Sequence, residues 1–74
     1  MGCAVAMKLR RIVARNVRKL RIARGLSQEE LADLARLNRN YIGMIEREEN
    51  APTVDVLETL AEALAVEPAA LIKR

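Results

Sequence analysis

The chain has 74 residues, enough for one small domain, and its 13 basic and 10 acidic side chains leave a net charge of only +3. Apolar residues make up 51% of it but only one is aromatic, so the core must be aliphatic. With no histidine and a single cysteine, Cys3, the composition excludes a disulfide-stapled fold and a His/Cys metal site, and it favours a reducing, cytoplasmic compartment.

Charge is distributed unevenly along the chain. Residues 1–24 carry eight basic side chains and no acidic one, whereas residues 25–74 carry five basic and ten acidic ones. Such asymmetry predicts that one face of the domain lies near a polyanion. The alternative is a basic helix that only faces solvent.

The first predicted helix runs from about Lys8 to Arg24. Its apolar residues recur at helical spacing and form one stripe, namely Leu9, Val13, Val17 and Leu20. Most of the other positions are basic, and three of them are candidates for contacts with phosphates: Arg15, Arg18 and Lys19. Residues 1–7 are predicted to be a flexible tail, without a secretory or myristoylation signal, and no apolar run approaches the length of a membrane span.

A clear start signal opens the second predicted helix, which runs from Gln28 to Ala35. Ser27 is a favoured N-cap residue, and Glu30 follows three positions later, as in a capping box. The predicted apolar face consists of Leu31, Leu34 and Ala35. Asn38 offers another N-cap soon afterwards, so two short helices joined by a tight turn are expected across residues 28–47.

The third predicted helix, about Arg39 to Arg47, separates on a helical wheel into a buried and an exposed side. Ile42 and Ile45 define the buried side, and Tyr41 and Glu46 lie on its flanks. The exposed stripe consists of Asn40, Gly43, Met44 and Arg47, with Arg39 at its N-terminal edge.

An exposed stripe with this chemistry suits the DNA major groove. Asparagine can bond bidentately to adenine and arginine to guanine, and an apolar tip can contact a thymine methyl group. The candidate base readers are therefore Arg39, Asn40, Tyr41, Met44 and Arg47. Gly43 is interpreted as leaving room for DNA or for a neighbouring helix. Two alternatives stay open: Met44 covers the edge of the core, and Gly43 is a residue that the helix merely tolerates.

Two more helices are predicted after a loop at residues 48–52. Thr53 caps a fourth helix from Val54 to Leu64, and Glu67–Pro68 opens a last short one. The predicted buried face of the fourth helix is Val54, Leu57, Leu60, Ala61 and Leu64. The C-terminal part carries more apolar surface than a small bundle readily buries, which predicts a dimer interface at Leu64, Val66, Leu71 and Ile72. The alternative is that these four residues close the core of the monomer.

The central stretch resembles the Cro/phage-repressor family of helix-turn-helix proteins. The residues that carry the resemblance are Gly25-Leu26-Ser27-Gln28-Glu29-Glu30-Leu31-Ala32, then Ile42 and Ile45-Glu46-Arg47, then Pro52 and Leu60-Ala61-Glu62-Ala63-Leu64. The run Leu37-Asn38-Arg39-Asn40-Tyr41-Ile42 is also similar to controller proteins of restriction–modification systems. The resemblance implies an all-α fold, a compact bundle of five helices of the lambda-repressor-like type, over residues 8–74.

The resemblance also implies roles for single residues. Gln28 is similar to a phosphate-contacting glutamine of the family, and Asn50 lies in a loop that meets the DNA backbone there. Arg21 and Glu46 stand where the family has a structural ion pair. Arg36 and Glu48 stand where glycines are usual, so a positive φ at Arg36 would be strained and the third helix is expected to end differently.

Together these features predict a DNA-binding transcriptional regulator that acts as a homodimer on a palindromic operator. No enzyme, metal or cofactor is expected, because the chain has no histidine and no Gly-rich phosphate loop. No membrane association is expected, because no apolar run is long enough to span a membrane. No small-molecule substrate is expected, because 74 residues leave no room for an effector-binding domain. The alternative function is an antitoxin or another protein-interaction module of the same fold. Nothing in the sequence names the operator or distinguishes an activator from a repressor.

Overall fold

The structure, a computed structural model, describes residues 8–74; the tail predicted at residues 1–7, with Cys3, lies outside the described residues. Five helices follow one another: α1 (Leu9–Ala23), α2 (Gln28–Ala35), α3 (Arg39–Glu46), α4 (Val54–Leu64) and α5 (Ala69–Ile72). The all-α prediction with five helices is confirmed for this part of the chain. No helix within it is long and apolar enough to cross a membrane.

The three central helices begin where side chains can cap them. Ser27 Oγ accepts from the N–H of Glu30 at 2.9 Å, and Glu30 Oε1 accepts from the N–H of Ser27 at 2.8 Å, which completes the predicted capping box. Asn38 caps α3 through the N–H of Asn40 at 2.7 Å, and Thr53 caps α4 through the N–H of Val56 at 3.1 Å. These bonds satisfy N–H groups that a first helical turn leaves unpaired.

Each of helices α1 to α4 is followed, one or two positions after its last residue, by a residue in the left-handed region. These residues are Gly25 (φ 70°), Arg36 (φ 58°), Glu48 (φ 64°) and Ala65 (φ 58°). In each case the next residue's N–H donates to a carbonyl five positions back, as Leu37 does to Ala32 at 2.8 Å. Three of the four carry a side chain, which costs about 1–2 kcal/mol each relative to glycine. The strain predicted at Arg36 is therefore present, whereas Glu48 ends α3 as a glycine would, and the expectation of a different end is wrong.

The core lies where α1, α2, α3 and α4 meet, with α5 packed on α1. Its largest fully buried side chains are Ile12, Leu31, Ile42, Ile45, Leu60, Leu64, Leu71 and Val17. Three residues predicted to be buried are exposed instead: Leu9 (55%), Leu34 (59%) and Val54 (80%). Leu9 and Val54 are the first residues of their helices and lie beyond the ends of the core, and Ala32 takes the buried place on α2.

Asn16 fastens the last helix to the first. Asn16 is a polar residue that is buried. Its Nδ2 donates to the carbonyl of Leu71 at 3.0 Å and to that of Lys73 at 2.7 Å. The carbonyls at a helix end lack partners within the helix, so one carboxamide both satisfies them and holds α5 against α1. Ile12 on the same helix is also buried, although the predicted stripe of α1 did not include it.

Candidate nucleic-acid interface

Helix α3 is held by its buried side and presents the other to solvent. Ile42 and Ile45 are fully buried, as predicted. Arg39 and Asn40 are exposed at the start of the helix, and Arg47, which directly follows its last residue, is exposed too. Tyr41 and Met44 are half-buried, so less of these two side chains is available to a ligand.

A polar cleft lies between the N-terminal ends of α2 and α3. It is lined by Arg21, Ser27, Gln28, Glu29, Arg39, Asn40, Gly43 and Arg47. Three of the predicted base readers, Arg39, Asn40 and Arg47, thus share one surface with the predicted phosphate ligand Gln28. The unpaired N–H groups of helix N-termini favour anions, and the exposed Arg39 adds a positive charge to this cleft.

The ion pair Arg21–Glu46 is present and is partly enclosed. Arg21 Nε donates to Glu46 Oε2 at 2.7 Å and Arg21 Nη2 to Glu46 Oε1 at 3.0 Å, with side chains only 12% and 5% exposed. Arg21 Nη1 also donates to the carbonyl of Leu26 at 2.8 Å. A fork-to-fork arrangement of this kind fixes orientation as well as distance. It therefore ties α1 to the end of α3.

Gln28 belongs to the same network. Its Nε2 donates to Glu46 Oε1 at 3.1 Å, and the side chain is half-buried. Before it could contact a phosphate, the carboxamide would have to share or leave Glu46. The phosphate role of Gln28 stays a prediction, and its contact with the ion pair was not predicted.

Gly43 is buried, contrary to the prediction that it is an open gap on the exposed stripe. The guanidinium of Arg47 folds back over it. A Cβ at residue 43 would stand 2.9 Å from Arg47 Nη1 and 3.6 Å from Gln28 Oε1. The missing side chain thus makes room for Arg47 within the protein itself.

Arg47 is paired with Glu49 in the loop after α3. Arg47 Nε donates to Glu49 Oε2 at 3.0 Å and Nη2 to Glu49 Oε1 at 3.2 Å. These hydrogen bonds, with the Coulombic attraction, raise the pKa of Arg47 and lower that of Glu49, so both groups are charged at neutral pH. Both side chains are more than half exposed, so the pair stays accessible to water and salt.

The three predicted phosphate ligands of α1 line a different surface. Arg15, Arg18 and Lys19 are exposed and border a groove with Arg11, Ala14, Ile22, Glu46 and Glu48. Arg11 Nε lies 3.7 Å from Glu48 Oε2, and the negative charge of Glu48 is therefore partly compensated. None of these residues lines the polar cleft, and the structure does not bring the predicted phosphate ligands of α1 beside the base readers. Asn50, in the loop before α4, is half-buried.

The predicted dimer interface requires a correction. Leu64 and Leu71 are fully buried within the monomer, because α4 and α5 both pack on α1 and close the core there. Val66 is half-buried and packs against that core. Ile72 alone of the four is exposed, at 44%. Any self-association at this end therefore has Ile72 and the outer side of Val66 available to it.

The sequence did not predict the contact of Gln28 with Glu46, nor the contacts of Asn16, Glu48 and Glu49. Nothing local marks Asn16, because its partners lie 55 and 57 residues away. Glu48 pairs with Arg11 and Glu49 with Arg47, and neither partner was predicted. An acidic residue two positions after the arginine that ends a helix is a local signal that could have indicated the second of these pairs.

Comparisons with known proteins agree with this geometry. A family model described as helix-turn-helix matches residues 17–71. The control protein C.SmaI of Serratia marcescens is 43% identical over 68 residues, which span 92% of this chain and 81% of that protein. The controller protein C.AhdI of Aeromonas hydrophila superposes with a TM-score of 0.81 at 40% identity, covering 84% of this chain and 94% of its own.

A third comparison includes DNA. The restriction–modification controller protein C.Esp1396I, described as a tetramer in complex with its natural 35 base-pair operator, superposes with a TM-score of 0.81 at 32% identity. The match covers 89% of this chain and 87% of that one. The resemblance to Cro, the phage repressors and the controller proteins is thereby confirmed. The chain belongs to the helix-turn-helix family of transcriptional regulators.

Proposed function

We propose that this chain is a cytoplasmic, sequence-specific DNA-binding regulator that acts as a homodimer on a palindromic operator and has no catalytic activity. The observation that carries the proposal is the polar cleft, where Arg39, Asn40 and Arg47 stand beside the N-terminus of α2 on a helix fixed by the Arg21–Glu46 pair. The operator complex of C.Esp1396I, a relative of the same fold, supports it.

Base reading by α3 is the first step of this mechanism. Arg39 and Asn40 are exposed in the first turn of α3, the part of a recognition helix that usually enters the major groove. Bidentate contacts from arginine to guanine and from asparagine to adenine would give each residue a preferred base. Phosphate contacts would hold the register but carry little sequence information.

Replacing Arg39 or Asn40 by alanine is expected to weaken binding to the cognate site by about 1–3 kcal/mol, with little effect on random duplex. The cognate site is obtained first by selecting bound DNA from a random pool. Asn50→Ala is a matched control: its predicted contact is with the DNA backbone, so affinity should fall equally on both duplexes. Equal losses for Arg39→Ala or Asn40→Ala would make that residue a backbone contact as well.

Dimerisation would supply the rest of the specificity, since one helix reads too few base pairs to distinguish a single genomic site. A two-fold axis near the C-terminal end would place two copies of α3 about 34 Å apart, one turn of DNA, over a palindrome. This end of the chain is less basic than α1, which leaves it free for protein contact.

Ile72→Asp tests the dimer without opening the core, because Ile72 is 44% exposed. We expect a folded protein of monomer mass, with weakened binding to the palindrome. Mass in solution, helicity and operator affinity are measured together. Leu34→Asp, the same change at an exposed residue of α2, should leave the mass unaltered. A native chain that is monomeric at tens of micromolar and still binds a half-site tightly would contradict the proposal.

A further inference from the structure

Arg47 in this structure is not free to reach a ligand. Two of its nitrogens donate to the Glu49 carboxylate at 3.0 and 3.2 Å, and its third nitrogen lies over Gly43 on the surface of α3. Both side chains are accessible to solvent, 58% and 53% exposed, so water competes for these bonds and the pair can open. The structure therefore holds a candidate base reader in a closed but reversible position.

The Glu49 carboxylate offers Arg47 what a guanine offers in the major groove. Both present two acceptors to the arginine fork, which favours planar, bidentate partners. The carboxylate is negatively charged and guanine is neutral, and a DNA phosphate is negatively charged like the carboxylate. Moving Arg47 to a phosphate would leave a bare Glu49 carboxylate beside another negative charge, whereas guanine is neutral and adds no repulsion of its own.

We infer, on the basis of the proposed function, that Glu49 is a specificity-determining residue. Its carboxylate occupies the two donors of the Arg47 guanidinium until the edge of a guanine in the correct register replaces it. On random DNA the pair stays closed and Arg47 contributes no phosphate contact. At the cognate site the guanidinium exchanges one bidentate acceptor for another. Gly43 is a positioning residue in this arrangement, because a side chain there would displace Arg47 Nη1.

The test compares Glu49→Gln with the wild type on selected and random duplexes over a range of salt concentrations. Without the carboxylate, Arg47 becomes available to phosphates. Affinity for random duplex should rise, roughly up to fivefold as expected for the loss of an exposed pair. The slope of log K against log salt on random duplex should become steeper by about 0.9 per protomer, the value for one added phosphate contact. The ratio of specific to non-specific affinity should fall.

Glu58→Gln is the matched control, since it removes the same charge from an exposed residue of α4 that does not line the polar cleft or the α1 groove. It is expected to raise affinity for both duplexes alike and to leave their ratio unchanged. Glu49→Asp, which keeps the charge, should retain most of the ratio. In a protein that already carries Arg47→Gln, Glu49→Gln should no longer alter the ratio of specific to non-specific affinity.

Three results would overturn the inference: Glu49→Gln and Glu58→Gln change the salt slope equally, Glu49→Gln raises both affinities by the same factor, or its effect persists without Arg47. These results differ from a failure of the proposed function. In that case the wild-type protein itself would show no selective, salt-dependent binding to duplex DNA.

Discussion

Glu46→Ala is expected to destabilise the fold by about 3–5 kcal/mol, the range for breaking one partner of an enclosed ion pair. Arg21 would keep its charge with a side chain only 12% exposed, and would retain the carbonyl of Leu26 as its remaining partner. Gln28 would lose its acceptor too. For a domain of this size, such a loss is a large part of the total stability. Chemical denaturation of the wild type and the variant gives the difference directly.

Glu58→Ala is the control, an exposed glutamate on α4 whose loss should change stability by no more than about 0.5 kcal/mol. Replacing both partners, Arg21→Met with Glu46→Leu, should recover much of the stability, because no charge is then left without its partner. DNA binding need not return with it, since the double variant also alters the base of the polar cleft. Equal stability of Glu46→Ala and Glu58→Ala would show that the pair contributes nothing to the fold.

A steep salt dependence of DNA binding is the second large effect. If a dimer neutralises six to ten phosphates, affinity should fall about 10³- to 10⁵-fold between 50 and 200 mM salt. The basic face of α1 supplies the candidates for these contacts. Affinity for one duplex is measured across that range, and a flat profile would contradict a nucleic-acid function.

Single substitutions then locate the contacts. Arg15→Gln, Arg18→Gln or Lys19→Gln should each reduce the slope by about 0.9 per protomer if that residue contacts a phosphate. Lys73→Gln removes a basic residue just after α5 and should leave the slope unchanged. If the three α1 variants behave like Lys73→Gln, their groove faces away from the duplex and the phosphate contacts belong to the polar cleft.

Local chemistry was enough to predict where most helices begin. Ser27, Asn38 and Thr53 each bond to an N–H two or three residues ahead, and α2 and α4 have the predicted bounds. A cap and the turn that it starts are neighbours in the chain, so no distant contact has to be known. Ile42 and Ile45 followed from the helical wheel for the same reason.

The Arg21–Glu46 pair could be predicted only from the family resemblance, because its two residues are 25 positions apart in the sequence. Periodicity placed Glu46 on the flank of α3, but it contains no information about which residue faces it. Family resemblance supplied that partner, and the structure adds Gln28 as a third member. Spacing along one helix cannot show such a contact between helices.

The sequence by itself determined the helical class, the helix-turn-helix unit and the residues exposed at the start of α3, because all of these depend on interactions within one or two turns. Only the tertiary structure decided that Leu71 lies in the core and Ile72 on the surface, and that Asn16 holds α5. It also decided that Arg47 lies over Gly43 and is hydrogen-bonded to Glu49. The physical reason is that burial depends on which helix covers a given face, and that coverage is set by the packing of segments far apart in the chain.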